Sequence, residues 1–177
     1  MSARDPDQVF LQEFLQGNDA ALEHLMRKYY KRIYNFLYRM FGSGDLAETL
    51  SRETFVHVYE NAGAEEGETG TFVSRLYRQA QSLCFQQHQR GGLSHGADRG
   101  SLPAGDDRDG VRAAAVRKAV MNLPYHQRAA VVLFRYERKS YDEIAVILRT
   151  SVPAVKSLLS QARGGLRKAL NDHLEYS

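Results

Sequence analysis

Apolar residues recur at intervals of three and four along most of this chain, a spacing that predicts α-helices. The longest such pattern lies between Asn18 and Gly42. Asn18 or Asp19 can cap the start of this helix, and Gly42 and Gly44 are suited to end it. A shorter helix is predicted over residues 7–15. The apolar positions of the long helix are Leu22, Leu25, Tyr29, Ile33, Phe36, Leu37 and Met40.

Two further helices are predicted in the same half of the chain. One covers residues 45–62 with Gly63 as its stop, and the other begins after Thr71, which can cap it. An acidic, glycine-containing loop over residues 64–70 separates them. Because residues 1–90 hold 13 of the 18 Phe and Tyr residues, we expect most aromatic rings to form the core. The inward positions are Leu46, Leu50, Phe55, Val58, Ala62, Phe72, Leu76, Ala80, Leu83 and Cys84.

The C-terminal part of the chain is also predicted to be helical. Val116, Ala119, Val120 and Leu123 have helical spacing, and Pro124 ends that pattern. A second helix follows over residues 126–136.

Residues 140–163 predict two short helices around a tight turn. Ser140 and Glu143 have the spacing of a capping box, in which the hydroxyl accepts from one amide and the carboxylate accepts from the other. Residues 149–150 form the turn, and Ser151 can cap the second helix. The proline two residues later falls in the first helical turn, where its missing amide proton has no intrahelical acceptor.

The second helix of this pair has one apolar and one small polar face. Its buried side is predicted to hold Val152, Val155, Leu158, Leu159 and Ala162. Its outward side holds Pro153, Lys156, Ser157, Ser160, Gln161 and Arg163. An exposed helix with small hydrogen-bonding side chains fits a DNA major groove, although any helical hairpin that only packs against its neighbours has the same outline.

The segment between these two parts lacks a hydrophobic pattern of either period. Residues 91–110 contain six of the 14 glycines and almost no apolar side chains, which predicts a flexible linker. The predicted fold is therefore all-α, with two small helical domains joined by a flexible linker. The domains are residues 1–90 and residues 111–177, and the second contains the helix-turn-helix.

Charge is concentrated in the C-terminal domain. Residues 111–177 carry 12 Lys and Arg against five Asp and Glu, whereas residues 1–90 carry 10 against 12. The whole-chain net charge of +3 hides this difference. A basic domain is suited to neutralise phosphates, but a solvated basic surface gives the same balance.

The sequence gives little indication of a membrane span, a disulfide, a metal site or an enzyme active site. No apolar run approaches the roughly 18 residues of a membrane span, and the N-terminus lacks the apolar region of a signal peptide. With Cys84 as the one cysteine, a reducing, cytoplasmic location is expected. Cys84 and His88 are only two ligands, and the acidic run at residues 106–109 lacks calcium-loop spacing. We expect no cofactor and no enzymatic activity.

Five fragments of the chain resemble motifs of one family, the extracytoplasmic-function sigma factors of bacterial RNA polymerase. The C-terminal fragments are L-P-Y-H-Q-R-A-A-V-V-L-F-R-Y (123–136), S-Y-D-E-I-A-V-I-L (140–148) and S-V-P-A-V-K-S-L-L-S-Q-A-R (151–163). The N-terminal fragments are A-E-T-L-S-R-E-T-F (47–55) and F-V-S-R-L-Y-R-Q-A-Q-S-L (72–83). They occur in the family's order and span nearly the whole chain.

The resemblance implies a sigma factor that binds core RNA polymerase and directs promoter recognition and transcription initiation. The first domain would bind the clamp helices of the largest subunit through Glu48, Arg52, Glu53 and Phe55. It would also melt the −10 promoter element with the loop at residues 65–71. The tether would allow an anti-sigma factor to bind between the two domains.

Promoter DNA would be contacted at two separate sets of residues. The −10 element would meet the outer face of the fourth helix, at Arg75, Arg78 and Ser82. The −35 element would be read by Arg149, Lys156, Ser157, Ser160, Gln161 and Arg163.

The chain also departs from the family pattern. Leu46 and Thr49 stand where acidic residues are usual, Arg75 replaces a Trp, Ser82 and Gln86 replace Asn and Asp, and Leu158 and Gln161 replace Arg. Each lost phosphate contact should lower the salt dependence of binding by about one unit of slope. Weaker DNA binding that depends on polymerase is expected.

Two alternatives remain open, the first of them because of these departures. The chain could be a sigma-like interaction protein that binds a regulator or polymerase with weakened promoter contacts. It could also be a stand-alone helix-turn-helix regulator that binds duplex DNA as a dimer. Run-off transcription and gel-shift binding without polymerase separate the three hypotheses.

Overall fold

The computed structural model describes residues 6–61, 71–91 and 107–175. Within these ranges the chain forms eight α-helices and one π-helical segment, with no strand, so the all-α prediction is confirmed. The N-terminal helices are α1 (Pro6–Leu15), α2 (Asp19–Phe41), α3 (Gly44–Glu60) and α4 (Phe72–Gln89). The C-terminal elements are α5 (Asp107–Met121), α6 (Tyr125–Val131), the π-helical segment (Val132–Tyr136), α7 (Tyr141–Ile147) and α8 (Val152–Glu175).

The ends of the N-terminal helices lie close to where the sequence placed them. Gly42 ends α2 in the left-handed conformation, with φ of 72°, and its amide donates to the Tyr38 carbonyl at 2.7 Å. The Thr71 hydroxyl caps α4 by accepting from the Ser74 amide at 3.2 Å. Asn18 occupies the start of α2 but makes no side-chain capping bond there, and its side-chain amide donates to Glu13. The predicted stop at Gly63 lies outside the described residues.

A buried carboxylate fixes α1 against α2. Asp7 accepts hydrogen bonds from the Tyr29 hydroxyl and from Lys28 Nζ, the latter at 2.7 Å. The hydrogen bond from Lys28 to Asp7 outweighs the cost of burial and raises the pKa of Lys28. Because a buried carboxylate is costly without partners, these bonds determine where α1 docks.

In the C-terminal half, α5 begins earlier than predicted. Residues 107–110 are helical, although the sequence analysis assigned them to the linker. Once a helix is nucleated by the apolar positions further along, each added residue gains a backbone hydrogen bond, so the helix extends into polar sequence. Residues 92–106 lie outside the described part of the chain.

The predicted helix over residues 126–136 changes its hydrogen bonding part-way. Its last five residues form the π-helical segment, which ends with the Glu137 amide donating to the Val132 carbonyl at 3.2 Å. The Lys139 amide then donates to the Leu133 carbonyl at 3.0 Å. The wider turn changes the direction in which the following residues point, and Glu137 is thereby directed at α4.

Helices from both halves contact each other. Buried side chains of α2, α3 and α4 belong to the same hydrophobic cluster as those of α6, α7 and α8. α4 packs against α7, and α2 packs against the π-helical segment and α5. In this structure the helix-turn-helix therefore lies directly on the N-terminal helices.

None of the helices that the structure describes is long and apolar enough to cross a bilayer.

Candidate nucleic-acid interface

The start of α7 is held by the predicted capping box. The Glu143 amide donates to Ser140 Oγ at 3.2 Å, and the Ser140 amide donates to Glu143 Oε2 at 2.8 Å. Lys139 Nζ donates to the other carboxylate oxygen at 3.0 Å. Partial burial opposes ionisation of Glu143, but the hydrogen bonds from Ser140 and Lys139 outweigh it and hold its pKa below the ordinary value of 4.5.

The turn between α7 and α8 has a defined geometry. Arg149 adopts a left-handed conformation, with φ of 50°, and the Thr150 amide donates to the Ala145 carbonyl at 2.9 Å. Ser151 Oγ accepts from the Ala154 amide at 3.3 Å, as predicted for the cap of α8. The apolar side chains that fix the angle between the helices are fully buried: Ile144, Ile147, Val155 and Ala162.

The outward face of α8 is the one that the sequence predicts. Every residue assigned to it is exposed: Pro153, Lys156, Ser157, Ser160, Gln161 and Arg163. Leu158, which stands where the family has an Arg, is half-buried. The structure therefore leaves a continuous small, polar and basic surface on the helix that would enter a groove.

A hydrogen-bonded series of side chains orients part of this face. Gln127 Nε2, on α6, donates to Gln161 Oε1 at 3.1 Å, and Gln161 Nε2 donates to Ser157 Oγ at 3.3 Å. Sequence reasoning missed Gln127, because nothing local connects it with a residue 34 positions later.

A cation–π contact between Lys156 and Tyr141 connects α8 with α7. Lys156 Nζ lies 5.8 Å from the ring centroid of Tyr141, which itself stacks on Phe134 with centroids 5.4 Å apart. This contact restricts the position of one residue predicted to read the −35 element.

Residues predicted to contact two different promoter elements line a single pocket. Arg75, Arg78 and Ser82 of α4 meet Arg149 of the turn there. The remaining described lining residues are Val58, Gln79 and Gln81. The pocket has a volume of about 100 Å³, and three of its lining residues are arginines. The sequence contains no signal for this juxtaposition, since it depends on how the two halves pack.

One correction concerns Arg75. It was assigned to an outer face of α4, but only 6% of its surface is exposed. The reason is that α3 packs along one side of α4 and the helix-turn-helix lies on another. A role for Arg75 at the −10 element stays a prediction that requires the helix-turn-helix to move away.

The predicted polymerase-binding surface on α3 is exposed apart from one residue. Glu48, Arg52 and Glu53 are exposed, and Arg52 pairs with Glu48 across one helical turn. Phe55, at 1% exposure, cannot belong to this surface. Its ring stacks on Tyr30 and Tyr59 in the core, with centroids 5.9 and 6.0 Å away.

Val56 is an exposed apolar residue on the same face of α3. It is 53% exposed and adjoins the charged residues of α3, a position that the sequence analysis did not single out. The two α3 departures differ in setting: Leu46 packs on the core, whereas Thr49 is exposed and donates to the Asp45 carbonyl at 3.0 Å.

The cysteine and its neighbouring histidine have separate surroundings. Cys84 is fully buried, and burial raises the pKa of its thiol far above the ordinary value. The His88 ring stacks on Tyr125 with centroids 4.9 Å apart. Among the residues that the structure describes, no three metal-binding side chains come together.

Comparison with known proteins supports the assignment of a DNA-binding helix-turn-helix. Residues 113–164 match the family model described as sigma-70, region 4. The chain is 32% identical over 172 residues to the ECF RNA polymerase sigma factor SigE of Mycolicibacterium smegmatis. That alignment covers 89% of this chain and 65% of the mycobacterial protein, so the chain spans about two-thirds of that relative's length. The chain is therefore similar to an extracytoplasmic-function sigma factor over most of its own length.

A second sigma-factor relative aligns from end to end. The RNA polymerase sigma-H factor of Pseudomonas aeruginosa is 24% identical, with 96% of each chain covered. The resemblance predicted from the five sequence fragments is thereby confirmed, and residues 113–164 are the part that matches the region 4 model.

Solved sigma-factor structures share the fold. CnrH, solved in complex with the cytosolic domain of CnrY, gives a TM-score of 0.74 at 17% identity, with 94% of this chain and 97% of that chain covered. The sigma factor RpoE, solved with the anti-sigma factor NepR from Bartonella quintana, gives 0.66 at 19% identity, with coverage of 84% and 96%.

Proposed function

We propose that this chain is a sigma factor, which binds core RNA polymerase and directs it to promoters to initiate transcription. The observation that carries the proposal is the exposed face of α8, held in a helix-turn-helix inside the region 4 match. Its side chains are hydrogen-bonding or basic, as groove recognition requires. The proposal assigns the chain no catalytic step, and it places the chain in the cytoplasm with the polymerase.

The charge distribution supports a division of labour between the two halves. The basic C-terminal part supplies the attraction to DNA phosphates, and the acidic and basic residues of α3, together with Val56, supply a polymerase-binding surface. Because Leu158 turns partly inward and Gln161 is neutral, α8 makes fewer phosphate contacts than a helix with Arg at both positions. Affinity for a promoter then depends on polymerase holding the helix in place.

An anti-sigma factor is the second partner in this proposal. The Bartonella quintana structure holds a sigma factor in complex with such a protein, and this chain shares its fold. Addition of a cognate anti-sigma factor should abolish promoter-specific transcripts while leaving transcription by other sigma factors unchanged.

Run-off transcription tests the proposed function. Purified chain is added to core RNA polymerase with a library of genomic fragments, and the transcripts are sequenced. Discrete start sites that share upstream sequence are expected, and they should disappear when Lys156 and Arg163 are both replaced by Ala. No affinity for core polymerase would overturn the proposal.

The same experiment separates the alternatives. Binding to core polymerase without any promoter-specific transcript would identify a sigma-like interaction protein. Tight duplex binding without polymerase would identify a stand-alone regulator.

A further inference from the structure

A side chain of α6 controls the orientation of one residue on the outward face of α8. Gln127 Nε2 donates to Gln161 Oε1 at 3.1 Å, and Gln161 Nε2 donates to Ser157 Oγ at 3.3 Å. Gln161 and Ser157 are exposed and belong to the face predicted to read the −35 element. Gln127 is half-buried and lies outside the helix-turn-helix. Gln127 can therefore influence DNA recognition through Gln161 without a DNA contact of its own.

The helix that carries Gln127 is held firmly in place. Its neighbour Arg128 is buried and donates to the backbone carbonyl oxygens of Met40 and Leu123. The helix also packs along α8. An exposed glutamine ordinarily samples many rotamers and loses that freedom when it binds. Because its hydrogen-bond donor stands on a fixed helix, Gln161 is restricted to a smaller set of rotamers before any DNA is present.

The hydrogen bonds also determine which group Gln161 presents. A glutamine amide has an accepting oxygen and a pair of N–H donors. The oxygen of Gln161 faces Gln127, and one N–H is used on Ser157, so the remaining N–H is the group available to a base. The Ser157 hydroxyl accepts through its oxygen and keeps its own proton to donate. Gln161 and Ser157 together therefore offer donors to the major groove.

This donor character predicts which base is preferred. A freely rotating glutamine pairs best with adenine, because it can accept from N6 and donate to N7 at the same time. With its oxygen turned toward Gln127, Gln161 is poorly placed for the accepting half of that pair. Guanine presents acceptors at both N7 and O6 in the major groove, and it therefore fits a pair of neighbouring donors.

We propose that Gln127 is a specificity-determining residue outside the reading helix, which turns the Gln161 amide so that Gln161 and Ser157 select guanine in the −35 element. The choice of base rests on the proposed function, whereas the orientation of Gln161 does not. Gln127 is a positioning residue, and its effect is on discrimination between bases at one position.

Base selection by the reconstituted holoenzyme tests the proposal. The full chain is combined with core polymerase, the −35 element of a promoter found by run-off transcription is randomised, and the transcribed templates are sequenced. Gln161→Met locates the position that Gln161 reads, because the base preference is lost there. The native chain should favour guanine over adenine at that position about ten-fold, as expected for a specific base contact.

Gln127→Met removes the donor but keeps a side chain of similar size. The preference for guanine over adenine should fall about ten-fold, to near parity, because the Gln161 amide is then free to rotate. Added to Gln161→Met, the same substitution should change nothing further, since Gln127 acts through Gln161. A separate effect of Gln127→Met in that background would contradict the positioning role.

Gln127→Glu tests the direction of the hydrogen bonds. A carboxylate only accepts, so Gln161 must turn an N–H toward it and its oxygen toward the groove. The preference should then shift from guanine to adenine or cytosine, whose amino groups donate. Asn122→Asp, exposed just before α6, adds the same charge and should leave the base preference unchanged. An unchanged preference in Gln127→Glu would show that the native bonds run in the opposite direction and would overturn the proposal.

Nuclear magnetic resonance of the isolated chain separates failure of this inference from failure of the proposed function. The side-chain amide resonances of Gln161, assigned by their loss in Gln161→Met, should shift in Gln127→Met, with circular dichroism as the check that the variants are folded. No shift would overturn the orientation of Gln161, whatever the polymerase does. A shift without a changed base preference would show a purely structural bond and overturn the role in specificity. If the native chain selected no promoter, the proposed function would fail and the assignment to guanine with it, while the resonance shift would still decide the orientation.

Discussion

The guanidinium of Arg128, on α6, donates a hydrogen bond of 2.7 Å to the backbone carbonyl of Met40, at the end of α2. The same group donates to the carbonyl oxygens of Met121 at 2.5 Å and Leu123 at 3.1 Å. Three backbone carbonyls near helix ends, which have no intrahelical partner, are thereby satisfied by one side chain. Burial lowers the pKa of the Arg128 guanidinium, but the cation is what these carbonyls bind.

Replacement of Arg128 should destabilise both halves of the molecule. Arg128→Met keeps an unbranched apolar stem but leaves three carbonyls without this donor, at a cost of about 3 kcal/mol. Thermal and urea denaturation measure the loss, and Arg135→Met, on the exposed side of the π-helical segment, is the control. Equal stability of the two variants would contradict this role.

Substitutions of the neighbours Phe55 and Val56 should affect different properties, stability for the first and polymerase binding for the second. Phe55→Ala removes a core ring and should lower the free energy of unfolding by about 3–5 kcal/mol. Val56→Ser changes an exposed side chain, should alter stability by less than about 0.5 kcal/mol, and should weaken binding to core polymerase. Denaturation and a polymerase pull-down measure the pair. Native polymerase affinity in Val56→Ser would remove that residue from the surface.

Acid should destabilise the helix-turn-helix through Glu143. Its pKa in the folded chain is lowered, so the carboxylate contributes stability above its unfolded pKa of about 4.5 and loses it as the pH falls below that value through the folded pKa. In Glu143→Gln this part of the pH dependence should vanish. Urea midpoints between pH 7 and pH 3 measure it, with Asp142→Asn as the control; identical pH profiles for Glu143→Gln and the native chain would contradict it.

Salt dependence should report the phosphate contacts of α8. If Lys156 and Arg163 each contact one phosphate, each substitution by Ala lowers the slope of log affinity against log salt concentration by about 0.9. Fluorescence anisotropy with duplex DNA measures the slope, and Arg27→Ala, an exposed site on α2, should leave it unchanged. A slope unaffected by both α8 substitutions would place the DNA on another surface.

Local sequence predicted several features that depend on neighbours within one or two helical turns. The capping box at Ser140 and Glu143, the Thr71 cap and the outward face of α8 all follow from residues three or four positions apart. The sigma-factor relationship came from the same kind of signal, since the family's motifs are short. Where the pattern broke down, as at the start of α5, the reason was extension of a helix beyond its apolar positions.

The sequence by itself determined that this chain is all-helical, that it carries a helix-turn-helix with one polar face, and that it resembles sigma factors. Only the tertiary structure decided that Phe55 is core, that Arg75 is covered and that Arg149 joins Arg75 and Arg78 in one pocket. The physical reason is the distance along the sequence between the residues that make these contacts. Helix periodicity shows which face turns inward but not which helix covers it, and contacts such as Tyr77 with Glu137 join residues 60 positions apart that no local pattern connects.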